Sequence, residues 1–143
     1  MSVILAQTDT TVGFLSQNAK ELFEIKSRKE TKLFLKVYDS FKEFLNDSNR
    51  VPSSKKKLIR RSKKTTFIVK NQAFRVFASN LNSQILRDAK WRYSTSANQS
   101  AKSFNRNFCE AKADIIIENI DGLCENASSA LLKINDSKIR RLR

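Results

Sequence analysis

Three stretches of this chain carry side chains that suit the binding of phosphate or another anion. Lys26, Arg28 and Lys32 lie in K-S-R-K-E-T-K, just past an amphipathic segment. In an extended segment, side chains two residues apart point the same way, so these cations can converge on one anion. The guanidinium offers a planar fork and the ammonium groups add mobile point charges. The second stretch is Ser94-Thr95-Ser96-Ala97-Asn98. Its hydroxyls and amide are neutral donors that can cradle an oxyanion at the end of a strand. The third is the run Lys55, Lys56, Lys57, Arg60, Arg61, Lys63 and Lys64, which contains no acid. It suits a phosphate backbone, and with no aromatic interleaved it offers no platform for base stacking.

Other chemistry is excluded by what is missing. The chain has no histidine, so it has no Ser-His-Asp triad, no Cys-His pair and no histidine metal ligand. Cys109 and Cys124 lack the C-x-x-C spacing of zinc or redox sites and read as buried thiols of a reducing, cytoplasmic protein. Two glycines cannot build a Walker A loop or a G-x-G-x-x-G turn, so a bound nucleotide would be held by cations and hydroxyls. No carboxylate cluster forms a metal cage. Lys and Arg number 28 against 14 acids in 143 residues, and a net charge of +14 attracts polyanions. No apolar run approaches the roughly 20 residues needed to span a membrane.

Positioning these groups requires a sheet with flanking helices. Val3–Ala6 reads as a buried strand and residues 7–13 as a polar connection. A helix is expected over 17–26, and strands over 32–37, 65–69 and 73–77, the last two as a hairpin across 70–72. Asp39 is placed to cap a short helix carrying Phe41, Phe44 and Leu45, and Ser53 or Ser54 to cap the basic helix. Beyond it come a helix over 80–90, a strand over 91–95, a turn over 96–100 and a helix over 103–111. A buried strand at 114–118 and strands at 129–134 and 138–142 complete the chain. Phe67, Phe74, Phe77, Phe104 and Phe108 are assigned to the core. The order implies one α/β (α+β) domain over residues 1–143, with a twisted mixed sheet.

In their order along the chain, these segments resemble the YrdC-like family, which includes the threonylcarbamoyl-AMP synthases. The family's P-T-[DE]-T-x-Y-G-L corresponds to Gln7-Thr8-Asp9-Thr10-Thr11-Val12-Gly13-Phe14, and its K-G-R-P-x-x-K-P-L to Lys26-Ser27-Arg28 through Leu33-Phe34. P-G-P-x-T stands as Ser62 to Thr66, and R-V-P as Arg75-Val76-Phe77. S-T-S-A-N-x-S-G is Ser94 to Ala101, and an A-D pair is Ala113-Asp114. P-S-T is Ala127-Ser128-Ser129, and the arginine of a closing R-x-G falls at Arg143. The motif tyrosine stands as Val12, which implies the loss of an aromatic wall and a hydroxyl from the substrate pocket. Ser27 replaces the motif glycine.

The resemblance implies a YrdC-like domain with a concave basic face. It implies a nucleotidyltransferase that joins L-threonine, bicarbonate and ATP into threonylcarbamoyl-AMP for tRNA threonylcarbamoyladenosine, working with tRNA-modification partner proteins. Lys26 and Arg28 would stabilise charge on the nucleotide phosphates, with Lys32 in support and no catalytic base. Thr8, Thr10 and Arg75 would hold threonine or its carboxylate. Ser94 and Ser128 would contact threonine, Ser96 and Asn98 the nucleotide, and Arg143 would close the site. Mg²⁺ would enter on the triphosphate as its companion, with no protein-bound metal. The alternative is a weakly catalytic or non-catalytic domain that binds double-stranded RNA or tRNA through the Lys55–Lys64 cluster. A carbamoyl-transfer role like that of the related domain in hydrogenase maturation proteins ranks last.

Overall fold

Both of the chain's continuous apolar runs near the N-terminus become strands, and the second was not expected. The computed structural model describes residues 3–8, 11–26, 34–47, 49–76, 90–98, 102–118, 122–123, 127 and 129–143. In chain order its elements are β1 (Ile4–Gln7), β2 (Val12–Ser16), α1 (Ala19–Lys26), β3 (Leu35–Tyr38), α2 (Phe41–Asn46), a 3-10 turn (Ser53–Lys55) and α3 (Lys56–Arg61). There follow β4 (Thr65–Val69), β5 (Gln72–Val76), β6 (Trp91–Ser96), α4 (Arg106–Lys112), β7 (Ile115–Ile117), β8 (Ala130–Ile134) and β9 (Ile139–Arg141). The class is α/β with mixed strand directions, as expected. The helix expected over 80–90 lies outside the described residues, except for its end at Lys90. Among the described residues, no helix is long and apolar enough to cross a membrane.

The chain divides into two compact units. Unit 1 comprises Met1–Phe34 and Arg92–Ala127. Its strands run in the order β7-β1-β2-β6. β1 and β2 form an antiparallel hairpin, Ile4 opposite Leu15 and Gln7 opposite Val12. The polar connection expected over 7–13 is therefore corrected: Val12 and Gly13 already belong to a strand. Every residue of β2 is buried, so V-G-F-L-S lacks the alternation that marks a half-exposed strand. Val12 and Phe14 pack into a core with Val3, Leu5, Leu22 and Phe23, capped by the half-buried Phe104 and Phe108. Strand β7 pairs parallel with β1. It is not buried as expected: Ile115 and Ile116 are each 43% exposed, because β7 ends the strand order and has a neighbour on one side only.

Unit 2 comprises Leu35–Trp91 and Ser128–Arg143, with strand order β3-β5-β4-β8-β9. β4 and β5 form the expected hairpin, closed by Lys70 and Asn71 at φ of 50° and 65°. Two consecutive positive φ values are the mark of a tight hairpin turn whose twist matches the flanking strands. β3 runs parallel to β5 and β8 parallel to β4, while β9 folds back antiparallel on β8. The core gathers Tyr38, Phe44, Ile59, Phe67, Phe74 and Ile134. The Phe44 and Phe74 rings stack with centroids 4.2 Å apart. Of the phenylalanines assigned to the core, Phe77 lies outside the described residues.

Both helix caps differ from expectation. Ser40, not Asp39, caps α2, its Oγ accepting from the Glu43 N–H at 3.1 Å. Ser53 and Ser54 form the 3-10 turn itself, so α3 starts at Lys56 with no side-chain cap. Ser40→Ala is expected to lower the unfolding free energy by about 1 kcal/mol, and Asp39→Ala to leave it almost unchanged. Urea denaturation of both variants checks this.

Candidate functional site

The last residue of α1 organises the anion-binding candidate of unit 1. Lys26 is only 4% exposed. Its Nζ donates to the carbonyls of Ser96 at 3.0 Å and Asn98 at 2.8 Å, and also to Asn98 Oδ1. An ammonium has three N–H donors, and the bend after β6 supplies an acceptor for each. The Ser96 hydroxyl donates to the same Asn98 Oδ1 at 2.9 Å, and Asn98 Nδ2 donates to the Lys102 carbonyl. Ala97 N–H donates to the Val12 carbonyl at 2.9 Å. The Cys109 thiol on α4 donates to the Ala97 carbonyl at 3.3 Å. A single positive charge is thus held under a bend that is pinned from α1, β2 and α4.

The second half of this cluster forms around Gly13. β2 pairs antiparallel with β6, Gly13 opposite Ser96 and Leu15 opposite Ser94. A Cβ at Gly13 would lie 3.2 Å from the Thr95 carbonyl, 3.3 Å from Thr8 Cγ2 and 3.8 Å from Ser94 Oγ. The bare Cα leaves room for the Thr95 carbonyl and the Thr8 methyl group. Thr8 Oγ1 donates to the Thr11 carbonyl at 2.5 Å and closes the turn between β1 and β2. Val12 points to the other face, into the core beside Phe14. Strand alternation turns residue 12 to the face opposite Gly13.

Unit 2 brings together three residues from separate motifs. Thr66 Oγ1 and Ser129 Oγ are hydrogen-bonded at 2.7 Å in a buried position. Arg143 donates from Nε to the Ser129 carbonyl at 2.9 Å and from its guanidinium to Ser129 Oγ at 3.4 Å. Ser129 and Thr66, not singled out from the sequence, are the hub of this cluster; their place in the P-S-T-like and P-G-P-x-T-like segments was the available signal. Arg75 is buried on β5 at 5% exposure, opposite Val37. In the basic run, Lys57, Arg60, Arg61, Lys63 and Lys64 are exposed and Lys55 and Lys56 half-buried, while Ile59 anchors α3 in the core. Thr10, Arg28, Lys32 and Ser128 lie outside the described residues, as does Cys124.

No family model and no curated relative matches the chain. Solved structures do. P. abyssi Sua5 complexed with L-threonine matches with a TM-score of 0.80 at 18% identity, covering 99% of this chain and 50% of that one. E. coli YciO matches with a TM-score of 0.78 at 16% identity, covering 99% and 82%. Full-length HypF in its phosphate- and nucleotide-bound form matches with a TM-score of 0.78 at 13% identity, covering 99% and 26%. The fold is that of the Sua5/YrdC proteins. The chain spans about half the length of the P. abyssi Sua5 structures. On this Sua5/YrdC frame, S-T-S-A-N is a strand end plus a bend, and the lysine that opens K-S-R-K-E-T-K is the residue that holds it.

Burial raises the Cys109 thiol above its ordinary pKa, an effect reduced by the backbone at Asn105 and by the Lys26 charge. A raised thiol pKa means that above about pH 8.5 the unfolded chain loses a proton that the folded chain keeps, so stability falls as pH rises. Between pH 7.5 and 10 the native protein is expected to lose more stability than Cys109→Ala, measured by denaturant titration at each pH. Lys26→Met leaves the bend's acceptors unpaired and is expected to cost about 2–4 kcal/mol. The same titration at neutral pH checks that value.

Proposed function

We propose that the chain synthesises threonylcarbamoyl-AMP and pyrophosphate from L-threonine, bicarbonate and ATP, supplying the group placed on the adenosine beside the anticodon. The observation that carries this reading is the unit 1 cluster, where Lys26 donates to the Ser96 and Asn98 carbonyls and Gly13 lies close against Thr8 and the Thr95 carbonyl. Two matches on the same fold support it, Sua5 complexed with L-threonine and HypF in a nucleotide-bound form.

The chemistry asks little of the protein beyond placement and charge. Threonine and bicarbonate give a carbamate and water. A carbamate oxygen, already anionic, attacks the α-phosphorus, and the bond to the β-phosphate oxygen breaks with its electron pair leaving on pyrophosphate. No side chain need remove a proton in that step, which suits a chain without histidine. The barrier is the approach of two anions, and fixed positive charge and aligned dipoles lower it. Lys26 contributes its charge through the bend it holds, with Ser96 and Asn98 presented towards the nucleotide. Arg28 and Lys32 act on the phosphates directly. Ser94, Thr8 and Thr10 receive threonine, and Arg75, Ser128 and Arg143 keep the roles that the resemblance gives them. Mg²⁺ arrives with the triphosphate and neutralises part of its charge.

Pyrophosphate release by the purified protein is expected only when threonine, bicarbonate and ATP are all present. Lys26→Ala with Arg28→Ala is expected to lower the rate at least about 100-fold, with circular dichroism confirming that the variant is folded. Unchanged turnover in the folded double variant would overturn the assignment.

A further inference from the structure

Among the described residues, the large apolar side chains left exposed all lie at the strands that end the strand orders. They are Ile115 and Ile116 on β7, Ile139 on β9 at 51% exposure, and Leu142 just after it at 45%. The two edges differ in how their charges are used. At β7 the flanking acids are engaged: Asp114 Oδ2 accepts from the Val3 N–H at 2.8 Å, and Glu118 pairs with Arg106. At β9 every residue is exposed. Neither the Arg140 nor the Arg141 side chain makes a hydrogen bond or an ion pair with a described residue.

The backbone of β9 presents a second set of open groups. β9 is antiparallel to β8, with Lys133 opposite Arg140. Bonds from the Asn135 N–H to the Lys138 carbonyl at 3.1 Å and from the Leu142 N–H to the Leu131 carbonyl at 2.8 Å bracket this pairing. In an antiparallel pair alternate residues bond to the neighbour, so Lys138, Arg140 and Leu142 turn their backbone groups to β8. The N–H and C=O of Ile139 and Arg141 therefore turn outward, where no described strand follows. The hairpin is braced at its turn, Asn135 Oδ1 accepting from the N–H groups of Ser137 at 2.9 Å and Lys138 at 2.7 Å. An edge fixed in advance loses little freedom on binding.

An open edge can take up one more strand, main-chain bonds giving affinity and side chains giving selectivity. Here the charges decide which strand fits. A second copy, paired antiparallel about Arg140, would set Arg140 against Arg140, and like charges directly opposite are unfavourable. A nucleic acid would meet the arginines but leave Ile139 and Leu142 uncovered and the outward amides without a matching ladder. An extended peptide satisfies every group when acids lie opposite Lys138, Arg140 and Arg141 and apolar residues opposite Ile139 and Leu142. We propose that β9 is a docking edge for an extended acidic segment of a partner protein, patterned acid-apolar-acid-acid-apolar. None of these five residues has a role in the proposed synthesis, so either reading can fail without the other.

Fluorescence anisotropy with a labelled peptide E-V-E-E-V-E, whose pattern reads the same in both directions, tests this on the full chain. Absence of binding would overturn it outright. The peptide E-E-V-V-E-E, equal in composition, is expected to bind about 5-fold more weakly, and so is E-V-E-E-V-E with both valines N-methylated. Whichever way the peptide runs, one valine faces Ile139, so N-methylation removes a main-chain donor and keeps the charge. Equal binding of all three would leave charge attraction alone and overturn the added strand. Arg140→Glu with Arg141→Glu is expected to weaken binding about 10-fold or more. Lys57→Glu with Arg61→Glu makes the same charge change at exposed positions of α3, and an equal loss there would overturn β9 as the site. At saturating peptide, hydrogen exchange at the Ile139 and Arg141 amides is expected to slow about 10-fold, and unchanged exchange at both would overturn the assignment. A dimer of the native protein that the arginine variant dissolves would give the edge to a second copy. A single-stranded RNA of equal charge that binds more tightly than the peptide, and loses the same factor in that variant, would give it to nucleic acid. Either result would overturn the acidic partner.

Discussion

A lysine ammonium buried to 4% exposure must find acceptors for its donors, and in unit 1 that requirement shapes everything around the bend. Leaving a buried charge unpaired costs several kcal/mol, far more than an ordinary loop conformation is worth. Two backbone carbonyls and one side-chain amide of Ser96 and Asn98 answer that demand. The bend is thereby tied to the helix end that carries the lysine.

The same requirement explains why the neighbouring elements are fixed as they are. Ala97 is packed at 2% exposure, with its N–H on Val12 and its carbonyl on the Cys109 thiol. Moving the bend would break the Lys26 contacts and pull a core residue out of its cluster together. Gly13 adds a steric condition from below. In a chain with only two glycines, one stands where a Cβ would press on the Thr95 carbonyl at 3.2 Å. Composition that disfavours glycine elsewhere has left it where the backbone approach requires it.

How much of this was legible in the sequence depends on which force decides each element. Strands β3, β4 and β5, the helix α1 and the α/β class follow from apolar spacing, and spacing is what burial acts on. β2 escaped because a strand buried on both faces shows no alternation, and T-D-T-T ahead of it looks like a loop. β7 was read as buried from I-I-I alone, although exposure of an outer strand depends on its neighbours and not on its own residues. Ser40 and Asp39 are both good capping residues, and only the path of the chain selects between them. Residue types singled out Lys26, Ser96 and Asn98, which the structure brings into one hydrogen-bonded cluster. They could not show that the lysine faces the bend itself, nor that Ser129, one place along from Ser128, collects Thr66 and Arg143.

The distribution of charge separates two ways in which a basic protein handles its excess. A net charge of +14 destabilises any compact state through self-repulsion unless the cations are spread out, solvated or given acceptors. Lys26 takes the acceptor route and is buried. The Lys55–Lys64 run takes the solvated route, with Ile59 alone reaching the core from α3. The cations around a cleft of unit 2, Arg50, Lys70, Lys133, Lys138 and Arg140, are exposed as well and take the solvated route, on the strand ends and turns that carry them.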